Sequence, residues 1–144
     1  MHPTKIIIHH SLTADGKTVS WGAITKYHIE MNGWRDNGYQ YGIELVGDTY
    51  EIFKGRMDNE QGAHCYGFND CSIGICMVGN FDQVGPQPAQ LRLLRKLCHS
   101  LMDIYGIKPE QVLGHWETYE LRGMAPQKTC PGVMFKMPEF RWKL

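Results

Sequence analysis

Apolar and polar residues alternate along the chain with periods that predict both strands and helices. Lys5–His10 is β-branched and apolar, which is typical of a buried strand, and the polar residues 11–17 after it contain an Asp-Gly turn signal. Residues 41–45 and Thr49–Lys54 are joined by a short glycine-containing connection, which predicts a hairpin. Residues 72–78 alternate in the same way. These segments predict a sheet.

Two further segments have apolar residues at helical spacing. Ser20 can cap the first helix, which an Asn-Gly pair ends after Met31. Pro88 opens the second helix, and Gly106 suits its C-terminal cap. We expect the second helix to lie against the sheet through one apolar stripe. The apolar positions are Ala23, Ile24, Tyr27, His28 and Met31 in the first helix, and Leu91, Leu94, Leu97, Cys98, Leu101 and Ile104 in the second.

The last third of the chain gives weaker signals. Residues 111–114 predict a short strand, and the tail around Phe135, Phe140 and Trp142 is compatible with a short helix or a packed coil. The chain shows neither an internal repeat nor a linker. We therefore predict an α/β fold, one domain over residues 1–144, with a mixed central β-sheet flanked by helices.

Composition and charge exclude several classes of protein. The 144 residues are 42% apolar, which is enough to fill one core and does not indicate a membrane span. Lys plus Arg and Asp plus Glu both total 15, so no net charge draws the chain to nucleic acid or to an anionic membrane, and we expect neither as a partner. The first residues lack a signal-peptide pattern, so we expect synthesis in the cytoplasm without a signal peptide.

Five cysteines, an odd number with irregular spacing, do not resemble the disulfide framework of a small secreted domain. Cys65 and Cys71 flank a short loop and could close a small ring, but two thiols are the expected state in a reducing compartment. Cys76 and Cys98 have apolar neighbours, which indicates packing.

Residues near both ends of the chain are suitable metal ligands. His9 and His10 end the first strand, His115 follows the predicted short strand, and Cys130 lies in a Lys-Thr-Cys-Pro-Gly turn. Two imidazoles and one thiolate leave one tetrahedral position of zinc open, as in catalytic sites.

Alternation along a strand lets one of His9 and His10 face the site and does not say which. Lys128 favours a thiolate at Cys130. A zinc hydrolase is therefore predicted.

Further motifs occur in order between Ile6 and Gly132. They are Ile8-His9-His10-Ser11, Gly38-Tyr39, Gly62, His64, Gly67, Asn69, Ser72-Ile73-Gly74, Val78-Gly79-Asn80, Gly114-His115 and Lys128-Thr129-Cys130-Pro131-Gly132. Because it has these motifs in this order, the chain resembles the zinc-dependent type 2 N-acetylmuramoyl-L-alanine amidases. That family includes phage endolysins and shares its fold with the peptidoglycan recognition proteins. The resemblance implies the peptidoglycan recognition protein / type 2 amidase fold.

The same resemblance implies a zinc site made by His9, His115 and Cys130, with His10 facing the other way. One departure is the connection between His115 and Cys130, fifteen positions apart, which is longer than in many members. Its additional residues include Trp116, Tyr119 and Met124, which could line a groove or pack as a surface loop.

The resemblance also places Tyr39 and Lys128 at the family's catalytic positions and His64 in the groove for the glycan or stem peptide. The implied reaction is attack by a zinc-activated water on the amide between the lactyl group of N-acetylmuramic acid and L-alanine. Lys128 would stabilise the oxyanion, and Tyr39 would orient the water or transfer its proton. The expected partner is peptidoglycan or a muropeptide, and we expect a monomer.

Three alternatives concern the role rather than the fold. A noncatalytic peptidoglycan-binding module would typically lack the cysteine ligand or the lysine. A structural zinc or redox protein would need a fourth ligand such as His10 or Cys65. An amidase could be a phage endolysin acting on the cell wall or periplasm, a recycling enzyme of the cytosol, or an effector. By this resemblance, a compact catalytic domain without a separate wall-binding module fits a phage enzyme of a Gram-negative-type host best.

Overall fold

A five-stranded mixed sheet forms the centre of the computed structural model, which describes residues 1–14 and 20–144. The strands are β1 (Lys5–His10), β2 (Tyr41–Val46), β3 (Thr49–Lys54), β4 (Ser72–Met77) and β5 (Val112–Gly114), in the order β3-β2-β4-β1-β5. β1 pairs in parallel with β4 and β5, β2 pairs in parallel with β4, and the β2–β3 hairpin is antiparallel. The predicted mixed sheet is confirmed, whereas the Asp-Gly turn at positions 15 and 16 lies outside the described residues.

Helices cover the sheet on both faces. They are α1 (Trp21–Glu30), α2 (Pro88–Tyr105), α3 (Glu117–Leu121) and α4 (Met137–Trp142), and a 3-10 turn at Pro109–Gln111 precedes β5. Ser20 caps α1 by accepting a hydrogen bond from the backbone N–H of Ala23, and Gly106 ends α2 with a left-handed φ of 68°. α4 shows that the tail forms a short helix. No helix in the described part of the chain is long and apolar enough to cross a membrane.

The main core lies between one face of the sheet and α2. Its sheet residues alternate along the central strands, as in Ile6 and Ile8 of β1, and α2 adds Leu94, Leu97, Cys98 and Leu101. Ile104 is 68% exposed, so its predicted place in the apolar stripe is wrong. At 3.6 residues per turn, Ile104 lies at the margin of a stripe centred on the buried leucines and turns toward solvent.

α1 uses its apolar residues differently. Trp21 is its buried residue, and its ring fits over the sheet because Gly42 has no side chain; a Cβ there would be 2.3 Å from the Trp21 ring. Tyr27 and Met31 are 58% and 71% exposed. The apolar positions of α1 therefore do not enter the core.

Candidate metal centre

The carboxyl ends of two neighbouring parallel strands bring the histidines of the site together. His9 lies near the end of β1, and His115 follows β5, where its backbone N–H donates to the carbonyl of Ile8 at 3.1 Å. The turn that carries Cys130 is attached to the same edge, because the Trp116 N–H donates to the Cys130 carbonyl at 2.8 Å. Residues from both ends of the chain thus meet at one place.

The three donor atoms are close enough for a single ion. Nδ1 of His9 is 3.5 Å from Sγ of Cys130, and the rings of His9 and His115 have centroids 4.5 Å apart. One donor atom from each of His9, His115 and Cys130 lies within 4.8 Å of the others. Tetrahedral zinc with nitrogen and sulfur ligands needs donor atoms about 3.3 to 3.8 Å apart, so a small adjustment would complete the site. The donor set and its spacing fit zinc.

Burial keeps both imidazoles neutral. It lowers the pKa of His9 well below its ordinary value, and the neighbouring His115, His64 and Lys128 add to this effect. Burial likewise lowers the pKa of His115 to about 4, with contributions from Lys128 and Arg122. Neutral imidazoles have the free lone pair that a metal requires.

The protonation state of Cys130 differs from the sequence prediction. Burial raises the pKa of this thiol to about 12, although Lys128 acts in the opposite direction. Lys128 therefore does not produce a thiolate in the metal-free protein. A metal ion must displace the thiol proton when it binds.

His10 and Cys65, the fourth ligands that a structural zinc site could use, have other partners. Nδ1 of His10 accepts a hydrogen bond from the backbone N–H of Phe81 at 3.1 Å, on the side of β1 away from His9. Cys65 donates to the Thr118 hydroxyl at 3.4 Å. Among the described residues, neither joins the three-donor group. All five cysteines are free thiols, including Cys65 and Cys71.

An open cleft of about 600 Å³ lies over the three donors. Ile24 and Tyr27 of α1, together with Trp34, form an apolar wall, and the exposed side chain of Lys128 also lines the cleft. The full lining is His9, His10, Ser11, Leu12, Thr13, Ala23, Ile24, Tyr27, His28, Trp34, Tyr39, Ala63, His64, Cys76, His115, Lys128 and Cys130. The cleft can hold an extended ligand against the donors.

Tyr39 and His64 stand beside His9 in this cleft. The rings of Tyr39 and His9 have centroids 5.1 Å apart, and Nδ1 of His64 is 3.0 Å from Nε2 of His9. Burial and the nearby thiols of Cys76 and Cys130 raise the pKa of Tyr39 well above its ordinary value. The phenol therefore stays protonated and can act as a hydrogen-bond donor.

Comparison with known proteins agrees with this geometry. Residues 1–133 match the family described as N-acetylmuramoyl-L-alanine amidase. An endolysin of Escherichia phage T7 is 35% identical over 95% of this chain and 83% of its own length. The chain belongs to the N-acetylmuramoyl-L-alanine amidase family.

Some relatives are named as amidases and others as peptidoglycan recognition proteins. The solved N-acetylmuramoyl-L-alanine amidase LysC from Clostridium intestinale has a TM-score of 0.82 and 29% identity, covering 99% of this chain and 85% of LysC. Peptidoglycan recognition protein 3 of Homo sapiens is 28% identical over 94% of this chain and 40% of its own length. The predicted family and fold are confirmed.

The structure of this amidase-family chain brings all the predicted site residues to the cleft. His9, His115 and Cys130 form the donor group, Tyr39 and His64 lie next to it, and Lys128 lines the cleft. The long connection after His115 packs at its start, whereas its residues 123–127 are exposed. Its Tyr119 is buried, 5.9 Å from the His115 ring, and no residue of 116–127 is among the described residues that line the cleft.

Two buried polar residues that support the site are absent from the sequence prediction. Gln40 precedes β2, accepts from the Gly74 N–H at 2.8 Å and donates to the Glu60 carbonyl at 3.0 Å. Arg56 donates to the Asn37 carbonyl at 2.8 Å. These bonds hold the loops that carry Tyr39 and His64. A glutamine directly before an apolar strand is the one signal in the sequence for this role.

The apolar wall from α1 is also absent from the sequence prediction. Its stripe contains Tyr27, His28 and one isoleucine, Ile24, rather than a row of aliphatic side chains. Aromatic side chains with a polar tip are common where one end is apolar and the other is wet. That composition is the available signal for a ligand-facing helix.

Proposed function

We propose that this chain is a zinc-dependent N-acetylmuramoyl-L-alanine amidase that hydrolyses the amide between the lactyl group of N-acetylmuramic acid and L-alanine in peptidoglycan. The observation that carries the proposal is the three-donor group of His9, His115 and Cys130, which lies open to a cleft. We propose that residues 1–144 act as one such domain.

His9, His115 and Cys130 would hold the ion and leave a fourth position for water or a substrate oxygen. With two neutral imidazoles and one thiolate, bound zinc would keep a net positive charge, lower the pKa of a water ligand toward about 7 and polarise a carbonyl group.

Lys128 would act on the oxygen of the scissile amide. Its side chain is exposed at the cleft, close enough to the donors to lower the pKa of His9, His115 and Cys130. A fixed cation at this place stabilises the negative charge that develops on the carbonyl oxygen when the amide carbon becomes tetrahedral.

Tyr39 would donate a hydrogen bond during the same step. Since its pKa is raised, the phenol keeps its proton at neutral pH. It can orient the attacking water or pass a proton toward the leaving nitrogen. His64 and the apolar wall of Ile24, Tyr27 and Trp34 would contact the glycan or stem peptide.

The proposal is tested by metal content together with peptide release. Purified chain should contain about one zinc ion and should create new L-alanine amino termini in purified peptidoglycan, and a chelator should remove both until zinc is returned. Binding to the wall without new termini would instead favour a recognition module. The similarity to human peptidoglycan recognition protein 3 makes that module the second candidate.

Zinc affinity should rise about tenfold per pH unit between roughly pH 5 and 7. His9 and His115 are already neutral in this range because their pKa values are lowered. The Cys130 thiol has a pKa of about 12, so it must release one proton for each zinc ion that binds. Competition titrations against a chelator at several pH values measure this slope. A zinc affinity that does not change with pH would show that Cys130 is not a thiolate ligand. A hundredfold rise per pH unit, which means two protons released per ion, would show that an imidazole is also protonated in the metal-free chain.

The relatives also suggest a biological setting, which we propose on their similarity. Similarity to the phage T7 endolysin supports action on the bacterial cell wall, with peptidoglycan as partner. We propose that the enzyme is a monomer. A cytosolic recycling enzyme would prefer soluble muropeptides, and an effector would act on the wall of another cell. Comparing rates on intact sacculi and on soluble fragments separates the wall-acting enzymes from the recycling enzyme.

A further inference from the structure

His64 occupies a slot made for an imidazole ring. A Cβ at Gly74 would lie 2.5 Å from the His64 ring, and a Cβ at Gly62 would also lie 2.5 Å from it. Gly74 is in the buried central strand β4, where glycine is less stable than alanine because it loses more conformational freedom on folding. The backbone N–H groups of His64 and Cys65 both donate to Oδ1 of Asn69 at 2.8 Å. The chain therefore fixes both the loop and the ring.

The slot places His64 against one nitrogen of His9 while the other nitrogen faces Cys130. Nε2 of His9 is 3.0 Å from Nδ1 of His64, with the rings at 85°, and Nδ1 of His9 is 3.5 Å from Sγ of Cys130. The His9 ring is thus held between a histidine and a candidate metal ligand.

The direction of the hydrogen bond decides whether His9 can bind a metal. A neutral imidazole carries one proton, on either Nδ1 or Nε2, so one of these two rings donates the hydrogen bond and the other accepts it. If Nε2–H of His9 donates to His64, Nδ1 of His9 keeps its lone pair toward Cys130. If Nδ1–H of His64 donates instead, His9 carries its proton on Nδ1, and that position is closed to a metal.

We propose that His64 is a positioning residue of the metal centre, whose Nδ1 accepts the Nε2–H of His9 and so directs the Nδ1 lone pair of His9 toward the ion. Histidine ligands usually donate their second N–H to a carboxylate, a carbonyl or water, and here an imidazole takes that place. This inference rests on the zinc site of the proposed function and assigns His64 a role in addition to substrate contact.

The matched variants His64→Leu and His64→Asn test this role. Leucine and asparagine have the same branched shape, but the asparagine oxygen can accept a hydrogen bond near the position of Nδ1. We expect His64→Leu to weaken zinc affinity about 10- to 100-fold and His64→Asn to stay within a few-fold of the wild type. Zinc affinity is measured by competition with a chromophoric chelator, and thermal unfolding of the metal-free proteins checks the fold.

Two outcomes would overturn the proposal: unchanged zinc affinity in His64→Leu, or equal losses in the leucine and asparagine variants. The first is also the result expected of a residue that contacts substrate alone, which would raise KM for a muropeptide.

Imidazole nitrogen shifts of the metal-free wild-type protein give a second test that needs neither variants nor zinc. We expect the proton of His9 on Nε2, and a proton on Nδ1 would reject the proposal. Failure of the wild type to cleave peptidoglycan would reject the amidase, yet it would leave these nitrogen shifts unaffected, so the two failures are distinguishable.

Discussion

Cys130→Ser should abolish zinc binding and amidase activity together while the metal-free fold remains. The substitution removes the single thiolate of the donor group and leaves His9 and His115 as the remaining pair. A serine hydroxyl does not ionise to complete the site, so we expect zinc affinity to fall by more than the ~100-fold typical of losing an outer partner of a metal ligand. Metal analysis after dialysis and peptide release from peptidoglycan measure the two losses.

Cys71→Ser is the matched control, because it makes the same chemical change at a half-buried thiol outside the donor group. It should keep one zinc ion per chain and the wild-type rate. Zinc retained at full occupancy in Cys130→Ser would show that the ion lies elsewhere.

Lys128→Ala should lower kcat by about 10²- to 10³-fold with zinc still bound, since a positioned group at a developing oxyanion has an effect of this size. The lysine side chain is exposed and belongs to the cleft rather than to the three-donor group, so its removal leaves the ligands in place. Steady-state rates on a soluble muropeptide, together with zinc content, measure the effect.

Lys96→Ala provides the comparison, since Lys96 is an exposed residue of α2, the helix that packs on the other face of the sheet. Its rate should match the wild type. Parallel losses of zinc and activity in Lys128→Ala would mean that the lysine supports the site structure, and a rate within threefold of the wild type would remove its role at the oxyanion.

The strands could be predicted closely because their signal is local. Lys5–His10 and Thr49–Lys54 have the predicted bounds, since a buried β-branched run and a hairpin connection depend on neighbouring residues alone. Helix faces are less predictable. Periodicity shows that α1 has an apolar side, but it does not show that a cleft rather than the core lies opposite Tyr27.

In the site, too, features set by neighbouring residues could be predicted, and features set by tertiary contacts could not. Alternation leaves His9 and His10 equivalent, and the hydrogen bond from Phe81 to His10, from a distant part of the chain, shows which of them joins the donor group. The protonation of Cys130 is similar, because the lysine is visible in the sequence and the burial that outweighs it is a tertiary property.

An ion pair between distant segments also could not be predicted from the sequence. Glu117 accepts from the Gly114 N–H at 2.7 Å at the end of β5 and pairs with Arg141 of α4 at 2.6 Å. Neither residue differs in the sequence from an ordinary surface charge.

The separation of the donors along the chain has a consequence for folding. His9 and Cys130 are 121 positions apart, and they meet only when β1 has paired with its neighbours. An ion held by both would act as a reversible cross-link that closes most of the polypeptide into one loop. A covalent cross-link that closes a loop of roughly 100 residues stabilises the folded state by about 4 to 5 kcal/mol, because it lowers the entropy of the unfolded chain. An ion that binds the folded chain more tightly than the unfolded chain would also protect the protein from proteases. Loss of such an ion would thus expose the chain to degradation as well as remove its proposed activity.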